Sequence, residues 1–204
     1  MTSEKKILVI APFAFGYTAH IQKALQKDPL VEASILYLDY PSFEYRNAVH
    51  KAQNFFSKFF LGKNLKKTFV SNRLKQCIQE LGAQDIIFIV RPDLLDDTTL
   101  KFIKGYSQKF IAYYYDSTRR FPRKVEVIPF FDRIYSYDKE DVAAYNLQFL
   151  TNYIFEESEG KLSNFQFFNI STNDYRFPLL ERLAGYIKDK KWSYKILVFN
   201  GSDI

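Results

Sequence analysis

Two short stretches place carboxylates and guanidiniums close together: "RPDLLDD" (91 to 97) and "DSTRRFP" (116 to 122). In the first, Arg91 and Asp93 are near enough to hold a hydroxylated ligand jointly, and near enough to close a salt bridge on each other. In the second, Asp116 is followed by Ser117 and Arg119, so a carboxylate, a hydroxyl and a guanidinium can face one space. A carboxylate there can orient a ligand hydroxyl, or act as a base where its pKa is raised. An aspartate in such a place can also cap a helix or shape a turn.

A third stretch, "APFAFGYTAH" (11 to 20), holds one glycine among aromatics and ends in a histidine. Gly16 permits a turn, Tyr17 offers a ring face and a hydroxyl, and His20 carries an imidazole, the side chain most often used as a general base. A histidine in the first turn of a helix is also commonly just solvated. A dinucleotide loop needs three glycines, and this loop has one. Phe13, Phe15 and Tyr17 would also crowd a pyrophosphate, whereas a sugar suits exposed rings. In "YDKED" (137 to 141) the acids fall in a first helical turn, where the helix dipole favours them, so Tyr137 and Asp138 cap a strand-to-helix turn.

These residues need a scaffold, and the apolar runs supply one. "KILVIAP" (6 to 12), "EASILYL" (32 to 38), "QDIIFIV" (84 to 90), "KFIAYYY" (109 to 115) and "DRIYSY" (132 to 137) read as buried strands. Amphipathic helices are predicted over 19–26, 71–81, 98–107 and 139–146. The alternation argues for an α/β, Rossmann-like parallel sheet with helices on both faces. Ligands of such sheets bind beyond the carboxyl ends of the strands, and the candidate residues all follow strands. Residues 1–152 read as this first domain, and the polar stretch 153–163 reads as a linker. The pattern restarts over 164–204, with strands at 165–171 and 194–200 around a helix at 177–189, as the first βαβ unit of a second, incomplete Rossmann-like domain.

A single cysteine, Cys77, excludes an internal disulfide and gives no metal constellation, so no metal and no resident cofactor are expected. The short run from Ile7 to Pro12 does not make a secretory h-region, and a cytoplasmic protein fits best. The formal charge is +6, but no nucleic-acid motif accompanies it, and a nucleic-acid partner is not expected. The segment "RNAVHKAQNFFSKFFLGKNLKK" (46 to 67) has six basic residues and no acid, with phenylalanines at helical spacing. It reads either as a core-packing helix with a solvated basic face or as a helix that meets an anionic membrane surface, which would place the protein at the inner face of the membrane.

The ordered set "FAFGYTAHI", "IVRPD", "YYYDS" and "RIYSYDKEDVAAYNLQFL" resembles the N-terminal half of bacterial glycosyltransferases of polysaccharide and lipopolysaccharide biosynthesis, among whose relatives are the CgeB-like spore-maturation proteins. The resemblance runs through "FFNISTNDYRFPLLERLA". It implies a GT-B architecture, a nucleotide-sugar donor, a glycan or lipid-linked acceptor, and a chain that by itself is inactive. It implies an acceptor-type role for residues 1–152, a donor-type one for the unit at 164–204, and His20 as a catalytic candidate; the residue reading adds Asp116 as the other catalytic candidate and Gly16, Tyr17, Arg91, Asp93, Ser117 and Arg119 as substrate-binding ones. A non-catalytic Rossmann-like binding or interaction module is the alternative.

Overall fold

The computed structural model describes residues 5–13, 18–61, 64–151, 165–172 and 177–199. The chain divides into two units, Met1–Phe155 and Glu156–Ile204.

In the first unit, strands β1 (Lys5–Ala11), β2 (Ala33–Asp39), β3 (Gln84–Val90), β4 (Ser107–Tyr114), β5 (Arg133–Ser136) and β6 (Gln148–Phe149) form one sheet in the order β2-β1-β3-β4-β5-β6. Every neighbouring pair is parallel. The connecting helices are α1 (Ala19–Lys27), α2 (Ala48–Leu61), α3 (Leu65–Leu81), α4 (Asp97–Lys104), the short α5 (Arg123–Glu126) and α6 (Lys139–Tyr145). This is a doubly wound, Rossmann-like α/β fold whose strand order reverses between β1 and β3.

Both faces of the central strands are covered, which is why β1 and β3 are apolar without alternation. Side chains still alternate along each strand. On one face Leu8, Ile10, Ile87, Ile89, Phe110 and Ala112 pack with Leu74 and Ile78 of α3 and Leu100 and Ile103 of α4. On the other, Ala11, Val90 and Tyr113 pack with Ile21 of α1. Each such buried side chain contributes roughly 1.5–3 kcal/mol relative to exposure. At the outer edge, the side-chain amides of Gln22 and Gln26 in α1 both donate to the Ile35 carbonyl of β2, at 2.9 and 3.4 Å.

Local chemistry sets the helix ends. Asn64 accepts from the Lys66 and Lys67 amides and so starts α3 at Leu65, six residues before the predicted start at 71. The segment 46–67, predicted as one helix, is therefore divided: α2 ends at Leu61, and Asn64 opens α3. Asp96 caps α4 by accepting from the Thr99 amide at 2.7 Å. Burial alone would raise the Asp96 pKa, but hydrogen bonds from Thr98, Ser71 and Thr99 outweigh it and hold the group well below the usual carboxylate range. Asp138 caps α6 as the sequence indicates, accepting from the Glu140 and Asp141 amides. The two-residue strand β6, beyond Asn146 in its left-handed conformation, was not predicted.

In the second unit, β7 (Phe167–Thr172), α7 (Phe177–Asp189) and β8 (Tyr194–Phe199) form one βαβ unit, with β7 and β8 parallel. No described helix is long and apolar enough to cross a membrane.

Candidate functional site

The strands β3 and β4 lie side by side, so the segments leaving their carboxyl ends meet. Arg91 leaves β3 with φ 60° and ψ 54°, a left-handed conformation that a non-glycine residue rarely adopts. It opens a one-turn 3-10 helix, Pro92–Leu94, which brings Asp93 back under its guanidinium. Nε donates to Oδ1 of Asp93 at 2.9 Å and Nη2 to Oδ2 at 2.7 Å. Burial would lower the Arg91 pKa, but its bonds to Asp93 and Tyr115 outweigh that, and the guanidinium stays charged. Tyr40, the residue after β2, donates its hydroxyl to the Val90 and Arg91 carbonyls at 3.0 and 3.1 Å, pinning this turn from a third strand. Burial pushes the Tyr40 phenol well above its usual pKa, so it remains a donor.

From β4 comes Asp116, whose side chain is 18% exposed. Its Oδ1 accepts from Arg120 at 3.1 Å, and its Oδ2 lies 3.8 Å from Nη1 of Arg91, an ion pair beyond hydrogen-bond distance. Phe121 sits among the cations: its ring centre is 4.0 Å from the Arg91 guanidinium, 5.3 Å from that of Arg120 and 5.3 Å from the Lys124 ammonium. Lys124 is buried and donates to the Asp116 carbonyl. The turn is closed by Asp141 of α6, which accepts from both the amide and the hydroxyl of Thr118, at 2.7 and 2.6 Å.

The structure thus joins three of the sequence candidates, Arg91, Asp93 and Asp116, on one edge. Ser117 lies in the same turn, where its carbonyl accepts from the Phe121 amide. The guanidinium beside Asp116 belongs to Arg120 rather than Arg119, which turns outward, 73% exposed, to pair with Glu140 at 3.2 Å. His20 is the second residue of α1, half-buried, on the connection that follows β1. Gly16 and Tyr17 lie outside the described residues. Tyr40, Thr118, Arg120, Phe121, Lys124 and Asp141 were not foreseen; the only hint in the sequence was the doubled arginine at 119 and 120. Among the described residues, no group of three or more His, Cys, Asp or Glu side chains is placed to hold a metal ion.

Lys124 gives this site a pH signature. Desolvation lowers its pKa to about 8, although the carboxylates of Asp93 and Asp116 act the other way. An unfolded lysine titrates near 10.4, so between about pH 8 and 10.4 the unfolded chain binds more protons and the contribution of Lys124 to stability rises with pH. Conversely, that contribution is lost as pH falls through about 8. Urea unfolding at about pH 7.5 and 9.5 is expected to show the wild type gaining stability relative to Lys124→Met across this window. A difference that does not change with pH would mean that the amine is hydrated.

The arrangement defines a class: a doubly wound α/β unit with a mixed-charge, aromatic cluster at the carboxyl edge of its sheet. Comparison with protein-family models, curated proteins and solved structures finds no match to this chain.

Proposed function

We propose that the chain is a glycosyltransferase-like protein of GT-B type whose first unit binds a cell-surface glycan or lipid-linked acceptor at the carboxyl edge of its sheet. The observation that carries this reading is the placement of Asp116. Its carboxylate reaches solvent at the strand end, is fixed by Arg120 on one oxygen, and keeps the other beyond hydrogen-bond distance of Arg91. That second oxygen can accept from an acceptor hydroxyl and can take its proton during transfer. The resemblance of the post-strand motifs to polysaccharide and lipopolysaccharide glycosyltransferases supports the same assignment, with a nucleotide sugar as donor and the cytoplasmic side of the membrane as the place of action.

The test is binding and transfer. Calorimetry of the 204-residue chain with surface-glycan and lipid-linked oligosaccharides is expected to show binding that Asp116→Asn weakens about 10- to 100-fold, the worth of a hydrogen bond to a charged group. The second unit supplies one βαβ unit, so incubation of this chain with UDP-, GDP- and CMP-sugars is expected to give no transfer. Transfer, or tight UDP or GDP binding, would count against a purely acceptor-binding role. A non-catalytic binding module is favoured by one observation, the bidentate Arg91–Asp93 pair, which uses both side chains on each other. Glycan binding indifferent to Asp116→Asn would select that second reading.

A further inference from the structure

Helix α2 is turned inside out. At about 100° per residue, Ala48, Val49, Ala52, Phe55, Phe56, Phe59 and Phe60 share one arc of roughly 140°. A helix that packs on a core buries such an arc. Here Phe55, Phe56, Phe59 and Phe60 are 66%, 57%, 75% and 71% exposed. The side turned inward is the polar row His50, Asn54 and Ser57. Asn54 is buried, donates to the Tyr45 hydroxyl at 2.6 Å and accepts from the Leu65 amide at 2.8 Å, so polar bonds fix the helix in this orientation. The outward rings form a continuous surface: Phe59 and Phe60 lie 5.0 Å apart, Phe55 and Phe56 5.9 Å, and Phe56 stacks on Phe60 at 6.1 Å. At the base of the helix, Val49 leads into a recess of about 690 Å³ whose lining includes Phe43, Leu65 and Phe69.

Charge narrows the occupant. Lys51 and Lys58 both lie beyond the Phe55 margin of the apolar arc, and the whole segment 46–67 carries six basic residues and no acid. A second copy of this chain would bring its own Lys51 and Lys58 to the same face, and like charges across an interface oppose association. A nucleic acid offers negative charge without an apolar interior for four phenyl rings. An anionic bilayer supplies both, with headgroups for the lysines and the acyl boundary for the rings. We propose that α2 lies in the plane of an anionic membrane surface and docks the protein there. This proposal stands independently of the sugar-transfer reading.

Vesicle sedimentation of the 204-residue chain tests it. The chain is expected to pellet with vesicles in which about a third of the lipid is phosphatidylglycerol, hardly at all with pure phosphatidylcholine, and much less in about 0.5 M NaCl. Lys51→Gln/Lys58→Gln is expected to weaken binding roughly 30-fold, from the loss of two cations near the surface. Changing Phe55, Phe56, Phe59 and Phe60 together to serine is expected to abolish it while leaving the thermal unfolding midpoint in place, because these rings are exposed in the fold. Equal pelleting with both lipids, or none with either, would overturn the proposal. A phenylalanine-dependent dimer in analytical ultracentrifugation without vesicle binding would likewise overturn it and assign the face to a second copy.

Discussion

Arg91→Ala is expected to lower the unfolding free energy by about 3–5 kcal/mol, the usual cost of removing one partner from a buried ion pair. The Asp93 side chain is 4% exposed and its partner only 14%, so the variant leaves a carboxylate with little water to replace the guanidinium. The Phe121 ring loses its nearest cation at the same time. Two further variants separate the causes. Arg91→Ala/Asp93→Ala should recover part of the loss, because no charge is then stranded. Arg91→Gly should be less damaging than Arg91→Ala by about 1 kcal/mol, since the φ of 60° strains any residue with a Cβ and glycine removes that strain. Urea unfolding at neutral pH measures all three. A loss below about 1 kcal/mol for Arg91→Ala would mean that the pair behaves as a hydrated surface bridge.

Asp141→Ala is expected to cost about 2–6 kcal/mol by a different route. Thr118 is buried, and both its amide and its hydroxyl have Asp141 as acceptor. Without the carboxylate, two donors are desolvated and unmatched, at about 1–3 kcal/mol each. Asp141→Asn retains one accepting oxygen and should cost less than alanine. Hydrogen exchange at the Thr118 amide gives a local readout, with faster exchange expected in both variants and fastest in alanine. If Asp141→Ala proves neutral in urea, water reaches the turn and the contact between the 116–122 segment and α6 is not structural.

The sheet was legible because its strands announce themselves. Five apolar runs separated by amphipathic stretches leave few alternatives to a parallel α/β arrangement, and β1, β3 and β4 fall within two residues of their predicted limits. The cap at Asp138 was legible because its chemistry is local. What could not be read depends on distance or direction. Thr118 and Asp141 are 23 residues apart and meet only once β4 and β5 pair. Nothing in "RKVEV" separates Lys124 from any solvated lysine, and its burial follows from the Phe121 and Tyr114 rings around it. Arg119 and Arg120 are neighbours in a turn, where no periodicity says which one faces Asp116. For α2 the spacing defines an apolar arc but not the way it faces, and the buried Asn54 decides that.

The two margins of the six-stranded sheet are guarded differently against unwanted polymerisation. An outer strand with unpaired backbone groups is a template for another chain, and short length is one natural defence. β6, with two residues, has that defence. β2 does not: it runs for seven residues at the opposite margin and carries an exposed Leu36. Near its middle, however, the Ile35 carbonyl is already taken by two glutamine amides from α1. A foreign strand that would use that carbonyl must first displace both side chains, so the helix that covers the face of the sheet also guards one position on its longer margin.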